Sequence, residues 1–128
     1  MRNIGLFTPK LVNSDDLVKL VRGLAEQDSW PLEDRHGEFV IGALPDLVFI
    51  TKDTSLCNGC FDTEERSELQ AQLGFDPQSY VDLHFSYTDN AYKLARSIAA
   101  AMQSKWQAVI DYSGTGGQLG TPPPVQPG

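Results

Sequence analysis

The chain has 128 residues, 41% hydrophobic and 21% charged, which is ordinary globular usage and enough sequence to bury one sizeable core. Ten basic residues against 17 acidic ones leave a formal net charge of −7, which disfavours unaided binding to nucleic acid or an anionic membrane and favours a basic protein as partner. No stretch approaches the ~20 apolar residues of a membrane helix, and the N-terminus lacks the apolar core of a signal peptide, so a soluble, cytoplasmic protein with reduced cysteines is expected.

Ile4 to Thr8 is short and apolar and is stopped by Pro9, the pattern of a first strand. Asn13 and Ser14 offer helix caps, and Asp15 and Asp16 place negative charge in a first turn where the helix dipole favours it. Leu17, Leu20, Val21 and Leu24 recur at helical spacing, so a helix is predicted over 14–27. Trp30-Pro31 ends it. Asp34 to Gly37 reads as a turn opening into a strand at 38–42, and a second turn at Leu44-Pro45-Asp46, expected to be longer than two residues, leads to a strand at 47–52 that is apolar on both faces and suits a central position.

Asp62 and Glu65 have capping-box spacing, and a short surface helix to Leu73 with Gly74 as its stop is expected. Residues 80–87 alternate, with Val81, Leu83, Phe85 and Tyr87 on one side and Tyr80, Asp82, His84 and Ser86 on the other. A helix over 89–104 presents Ala91, Leu94, Ala95, Ile98, Ala101 and Met102 as one broad apolar face, and a last strand at 108–112 follows. A strand, helix and strand in this order normally form a parallel, right-handed unit. The predicted fold is α+β: a single mixed sheet with the two main helices on one face, a ferredoxin-like βαββαβ arrangement with a short inserted helix. The alternative is a three-layer α/β fold. One globular domain is expected over 1–113, with 114–128 a flexible, Gly- and Pro-rich tail.

Cys57-Asn58-Gly59-Cys60 is the one motif with direct chemical potential. Near a helix N-terminus such a pair supports thiol exchange, but Asp53, Asp62, Glu64 and Glu65 oppose a thiolate there. The same pair supplies half of a zinc site that would need two more ligands, with His36 and His84 the available imidazoles. Asp82 and His84 share a strand face and have the composition of a general acid/base pair, without a nucleophile to complete it. The glycine-rich run 114–120 lacks both the lysine and the following helix of a phosphate loop. No catalytic set and no cofactor are therefore expected.

What remains is acid surface. Glu33, Asp34 and Glu38 flank a turn near Trp30, and Asp62, Glu64, Glu65 and Glu68 crowd the inserted helix. Carboxylates at this density engage lysines and arginines across an interface.

Val109-Ile110-Asp111-Tyr112-Ser113-Gly114, preceded by the aromatic-rich strand 80–87 and the alanine-rich helix, resembles the small bacterial immunity proteins, cytosolic antidotes encoded beside polymorphic, contact-dependent or type VI secreted toxins. The resemblance spans roughly residues 80 to 114 and implies a non-enzymatic protein that covers the active or substrate-binding surface of a basic toxin domain. Trp30, Phe61 or Tyr87 would then be desolvated anchors and the carboxylates above the partner-binding set. The alternatives are a thiol-redox or zinc protein using Cys57 and Cys60, and an interaction domain with a regulatory, non-toxin partner.

Overall fold

The computed structural model describes residues 2–35, 38–53 and 63–123. Along the chain the elements are β1 (Arg2–Thr8), α1 (Ser14–Gln27), β2 (Leu32–Arg35), β3 (Glu38–Ala43), β4 (Asp46–Asp53), α2 (Thr63–Leu73), β5 (Ser79–Phe85), α3 (Asp89–Trp106) and β6 (Val109–Asp111). The six strands form one sheet in the order β2-β3-β4-β5-β1-β6. The fold is α+β.

Local chemistry sets the helices. The Asn13 side chain accepts from the Asp16 amide at 2.8 Å and caps α1, while Leu17, Val21 and Ala25 on one stripe are buried. Its exit is a Schellman arrangement: Trp30 N–H donates to the Ala25 carbonyl at 2.8 Å across Ser29, which sits at φ +58° where glycine is usual. At the start of α3, Thr88 accepts from the Ala91 amide at 3.1 Å and donates to Asp46 at 2.6 Å, pinning the helix to the start of β4.

Every hydrogen-bonded strand pair is antiparallel, which corrects the expected mixed sheet and is incompatible with the three-layer α/β alternative, whose neighbours are parallel. β5 and β6, joined by α3, do run in the same direction, but β1 lies between them and pairs with both. The order β4-β5-β1-β6 with α1 and α3 is therefore the ferredoxin-like core. The hairpin β2–β3 extends one side of it and α2 is inserted between β4 and β5. Of these, β2 escaped the sequence reading: Leu-Glu-Asp-Arg has no apolar alternation, and it is a strand because β3 pairs with it in register from Leu32↔Ile41 to Arg35↔Glu38.

The core lies under α1 and α3. Ile4, Leu6, Ile41, Val48, Ile50, Val81, Leu83 and Phe85 point to that face and are almost wholly excluded from solvent, packed with Leu17, Val21, Ala95, Ile98 and Met102 from the helices. Each of the larger of these side chains contributes about 1.5–3 kcal/mol relative to exposure. The alternation of β5 ends at Phe85: Tyr87, expected on the core side, is 73% exposed beyond the strand.

Two turns differ from expectation. Ala43 pairs with Asp46, so the β3–β4 connection has two residues, Leu44 and Pro45, joined by a cis peptide, the geometry proline takes at the third position of a tight turn. The segment from residue 114 is, on composition, a flexible tail. Instead a single 3₁₀ turn, Ser113–Thr115, leads into a fold-back in which Gly120 N–H donates to the Ile110 carbonyl at 2.7 Å and Tyr112 N–H to the Gln118 carbonyl at 3.2 Å. Backbone hydrogen bonds order this stretch despite its meagre apolar surface. Residues 124–128 lie outside the described residues.

Candidate functional site

Strand register decides what the acidic segments share. Glu38, beside the β2–β3 turn, pairs with Thr51 near the end of β4, and the chain leaves β4 at Asp53 toward α2. The N-terminus of α1 is held at the same end of the sheet. Val12 N–H donates to Ser79 Oγ at 2.9 Å, and Lys52 Nζ donates to the Val12 carbonyl and to Ser14 Oγ. α2 is tied there as well: Arg66 donates from Nε and Nη2 to Asp76, and two residues on, Gln78 N–H donates to the Thr8 carbonyl. Asp15, Asp34, Glu38, Glu64 and Glu65 in the first turn of α2, and Glu68 a turn further on, therefore gather at one end of the molecule, a proximity that sequence distance hides.

Not all of this charge is available to a partner. Glu33 is paired with Arg35 at 2.9 Å, and Glu38 stands opposite the same arginine. The guanidinium's hydrogen bond holds the Glu33 carboxyl below its ordinary value, and Arg66 does the same for Asp76, assisted by Gln70 and Gln78. Glu33, Asp34, Glu64, Glu65 and Glu68 are exposed and Glu38 is half-buried. Trp30 is also half-buried, packed against the core. Phe61, Asp62, Cys57, Cys60 and His36 lie outside the described residues, and with them the thiol and zinc readings. Among the described residues, no group of three or more His, Cys, Asp or Glu is placed to hold a metal ion, and no helix is long and apolar enough to cross a membrane.

On the face of the sheet away from α1 and α3, β5 presents Tyr80, Asp82 and His84. Asp82 and His84 do come together, Oδ2 to Nε2 at 2.5 Å, and Asn3 donates to the other carboxylate oxygen at 3.2 Å. Burial raises the Asp82 carboxyl above its ordinary value, outweighing the hydrogen bond from Asn3 and the attraction of His84. The Tyr80 ring lies over Gly5, where an added Cβ would collide with the phenol, and packs on Phe7 with centroids 4.8 Å apart. Burial first, then Asp82 and Asp111, raise the Tyr80 phenol well above its ordinary range. A glycine inside a strand marks such a close approach, so Gly5 was the available signal for a cluster that the sequence reading saw only as Asp82 and His84. Chemically it is a carboxyl-imidazole pair beside a neutral phenol, and no nucleophilic side chain is hydrogen-bonded to it among the described residues.

No protein-family model, curated protein or solved structure matches this chain.

Proposed function

We propose that this chain is a binding protein of the immunity type, which seats a basic bacterial toxin domain against its acidic end and so covers the toxin's active or substrate-binding surface. The observation that supports it is the gathering, by strand register, of two acidic segments distant in sequence at one end of the sheet. Such a surface speeds encounter with a cationic partner and opposes acidic ones. Glu33 and Arg35, already paired, contribute orientation more than net charge, whereas Asp34, Glu64 and Glu68 supply attraction. Trp30 precedes β2, at the opposite end of that strand from the acidic cluster, and is the aromatic anchor for a partner that extends along β2, since its exposed portion adjoins the core and loses little side-chain freedom on binding.

The test uses the purified chain and the C-terminal domain of the toxin-like product of the adjacent gene. Binding by calorimetry and protection of cells expressing that domain are expected, and the combined Asp34→Lys, Glu64→Lys and Glu68→Lys chain should associate at least about tenfold more slowly at low salt. Absence of both binding and protection overturns the proposal. Binding that is indifferent to the charge reversals and to salt overturns the acidic end as its seat.

A further inference from the structure

The two edges of the sheet are finished differently. Outside β6 the chain's own fold-back supplies hydrogen bonds, with Leu119 bridged to Asp111. Outside β2, among the described residues, no strand follows. The bond from Gly42 N–H to the Pro31 carbonyl, 2.9 Å, makes Pro31 and Gly42 a hydrogen-bonded pair, and alternation along the ladder gives the same status to Glu33 with Val40 and Arg35 with Glu38. The backbone N–H and C=O groups of Leu32 and Asp34 consequently point away from β3, across the open edge.

Both sides of that edge are hollow. On the helix side a cleft of about 650 Å³ is lined by Arg22, Ala25, Glu26, Trp30 and Leu32. On the opposite side a groove of about 300 Å³ runs over Glu33, Arg35, Val40, Leu47 and Phe49. Strand addition needs outward main-chain groups and receptacles for side chains that alternate between two faces, and β2 has both. A residue added opposite Leu32 turns its side chain to the helix side, against Leu32 and Trp30, and one opposite Asp34 meets a carboxylate on that same side. The residue between them, opposite Glu33, turns to the groove over Val40 and Phe49.

We infer that β2 is the seat of a partner strand, an extended protein segment reading apolar, apolar, basic across Leu32, Glu33 and Asp34. This deepens the binding function proposed above and rests on it for the partner's positive charge. The hydrogen bonds give the segment its direction and register, the clefts give it affinity, and Asp34 rejects an acidic residue at the third position.

The experiment displays random octapeptides to the full chain and measures the selected peptides by fluorescence anisotropy. Expected are peptides sharing the apolar, apolar, basic run, slowed amide exchange at Leu32 and Asp34 in their presence, and at least tenfold weaker binding to Asp34→Pro. That variant removes an outward donor and leaves the β2–β3 ladder intact. Asp34→Asn, which keeps the donor, should lose less. Should Asp34→Pro fail to fold, N-methylation of the selected peptide at the residues opposite Leu32 and Asp34 tests the same bonds and should cost the same tenfold. Failure to select any peptide, unchanged exchange at both amides, or indifference to Asp34→Pro and to N-methylation overturns the inference. A chain that sediments as a dimer, dissociated by Asp34→Pro, assigns the edge to a second copy and overturns it too. Toxin binding untouched by Asp34→Pro overturns strand addition and leaves the immunity function standing, whereas peptides that engage β2 beside a toxin domain that does not bind remove the immunity function alone.

Discussion

The two faces of this sheet are made from the same strands and do opposite things. Toward α1 and α3, Val81, Leu83 and Phe85 of β5 are fully buried among aliphatic neighbours. One residue along in each case, Tyr80, Asp82 and His84 stand against Phe7, Gly5 and Asn3 of β1 instead, with Asp111 paired to the other side of Gly5. The covered face is specified by apolar volume, which many sequences satisfy. The other is specified by particular contacts: the Asn3 amide on Asp82, the imidazole of His84 on the same carboxylate, and the Tyr80 ring over a glycine. A change on the first face should be felt as lost packing, and on the second as a broken fit or a changed protonation.

The largest expected effect sets the faces against each other within β5. Leu83→Ala should cost about 2–5 kcal/mol, the sum of lost transfer energy and a residual cavity. His84→Ala, at the next position and half-exposed, should cost less than about 1 kcal/mol. Urea denaturation of the two variants measures both, and equal costs would mean that the faces are not distinct. Gly5→Ala comes next, at about 1–3 kcal/mol, because the new methyl group displaces the half-buried Tyr80 ring. In a chain that also carries Tyr80→Ala the penalty should shrink, a coupling that a double-mutant cycle detects and that strictly additive losses would refute.

The smallest effect is in pH. The Asp82 carboxyl titrates above its ordinary 3.8 in the folded chain, so the native state holds that proton more tightly than the unfolded one. The associated stability is fully present below pH 3.8 and is lost as pH rises through the raised value. Asp82→Asn removes this dependence. Denaturation from pH 3 to 7 should therefore show the Asn variant gaining on the parent as pH rises, and the reverse slope would mean that His84 and Asn3 outweigh burial.

Sequence alone reached the elements that local chemistry controls. α1 has the predicted limits, with Asn13 capping its start and the turn across Ser29 closing it just before Trp30-Pro31, and the alternation of β5 identified its buried residues correctly as far as Phe85. It missed what only tertiary pairing creates. β2 is a strand by virtue of β3, and residues 113–121 are ordered by bonds to Tyr112 and Ile110 rather than by their own composition. The same division runs through the candidate site. The acid excess was visible as a count, but the placement of Glu38 and α2 at the same end of the sheet, the partial neutralisation of Glu33 by Arg35 and the hollow on either side of β2 all depend on register and packing. Asp82 and His84 were legible as a pair because residues two apart in a strand share a face. The covering of Gly5 by Tyr80 was not, since it depends on how β1 and β5 meet.

The position of β1 has a consequence for how the molecule comes into being. Among the described strands it is made before the other five, yet its two neighbours, β5 and β6, are the last of them to be made, with Leu6 pairing with Val81 on one side and Ile110 on the other. A nascent chain that has emerged only as far as β4 can close the β2–β3–β4 meander by local turns, but its first strand has no partner on either side. Completion of the sheet thus waits on long loop closures, and until then the apolar Ile4-Gly5-Leu6-Phe7 run is available to chaperones or to misassembly.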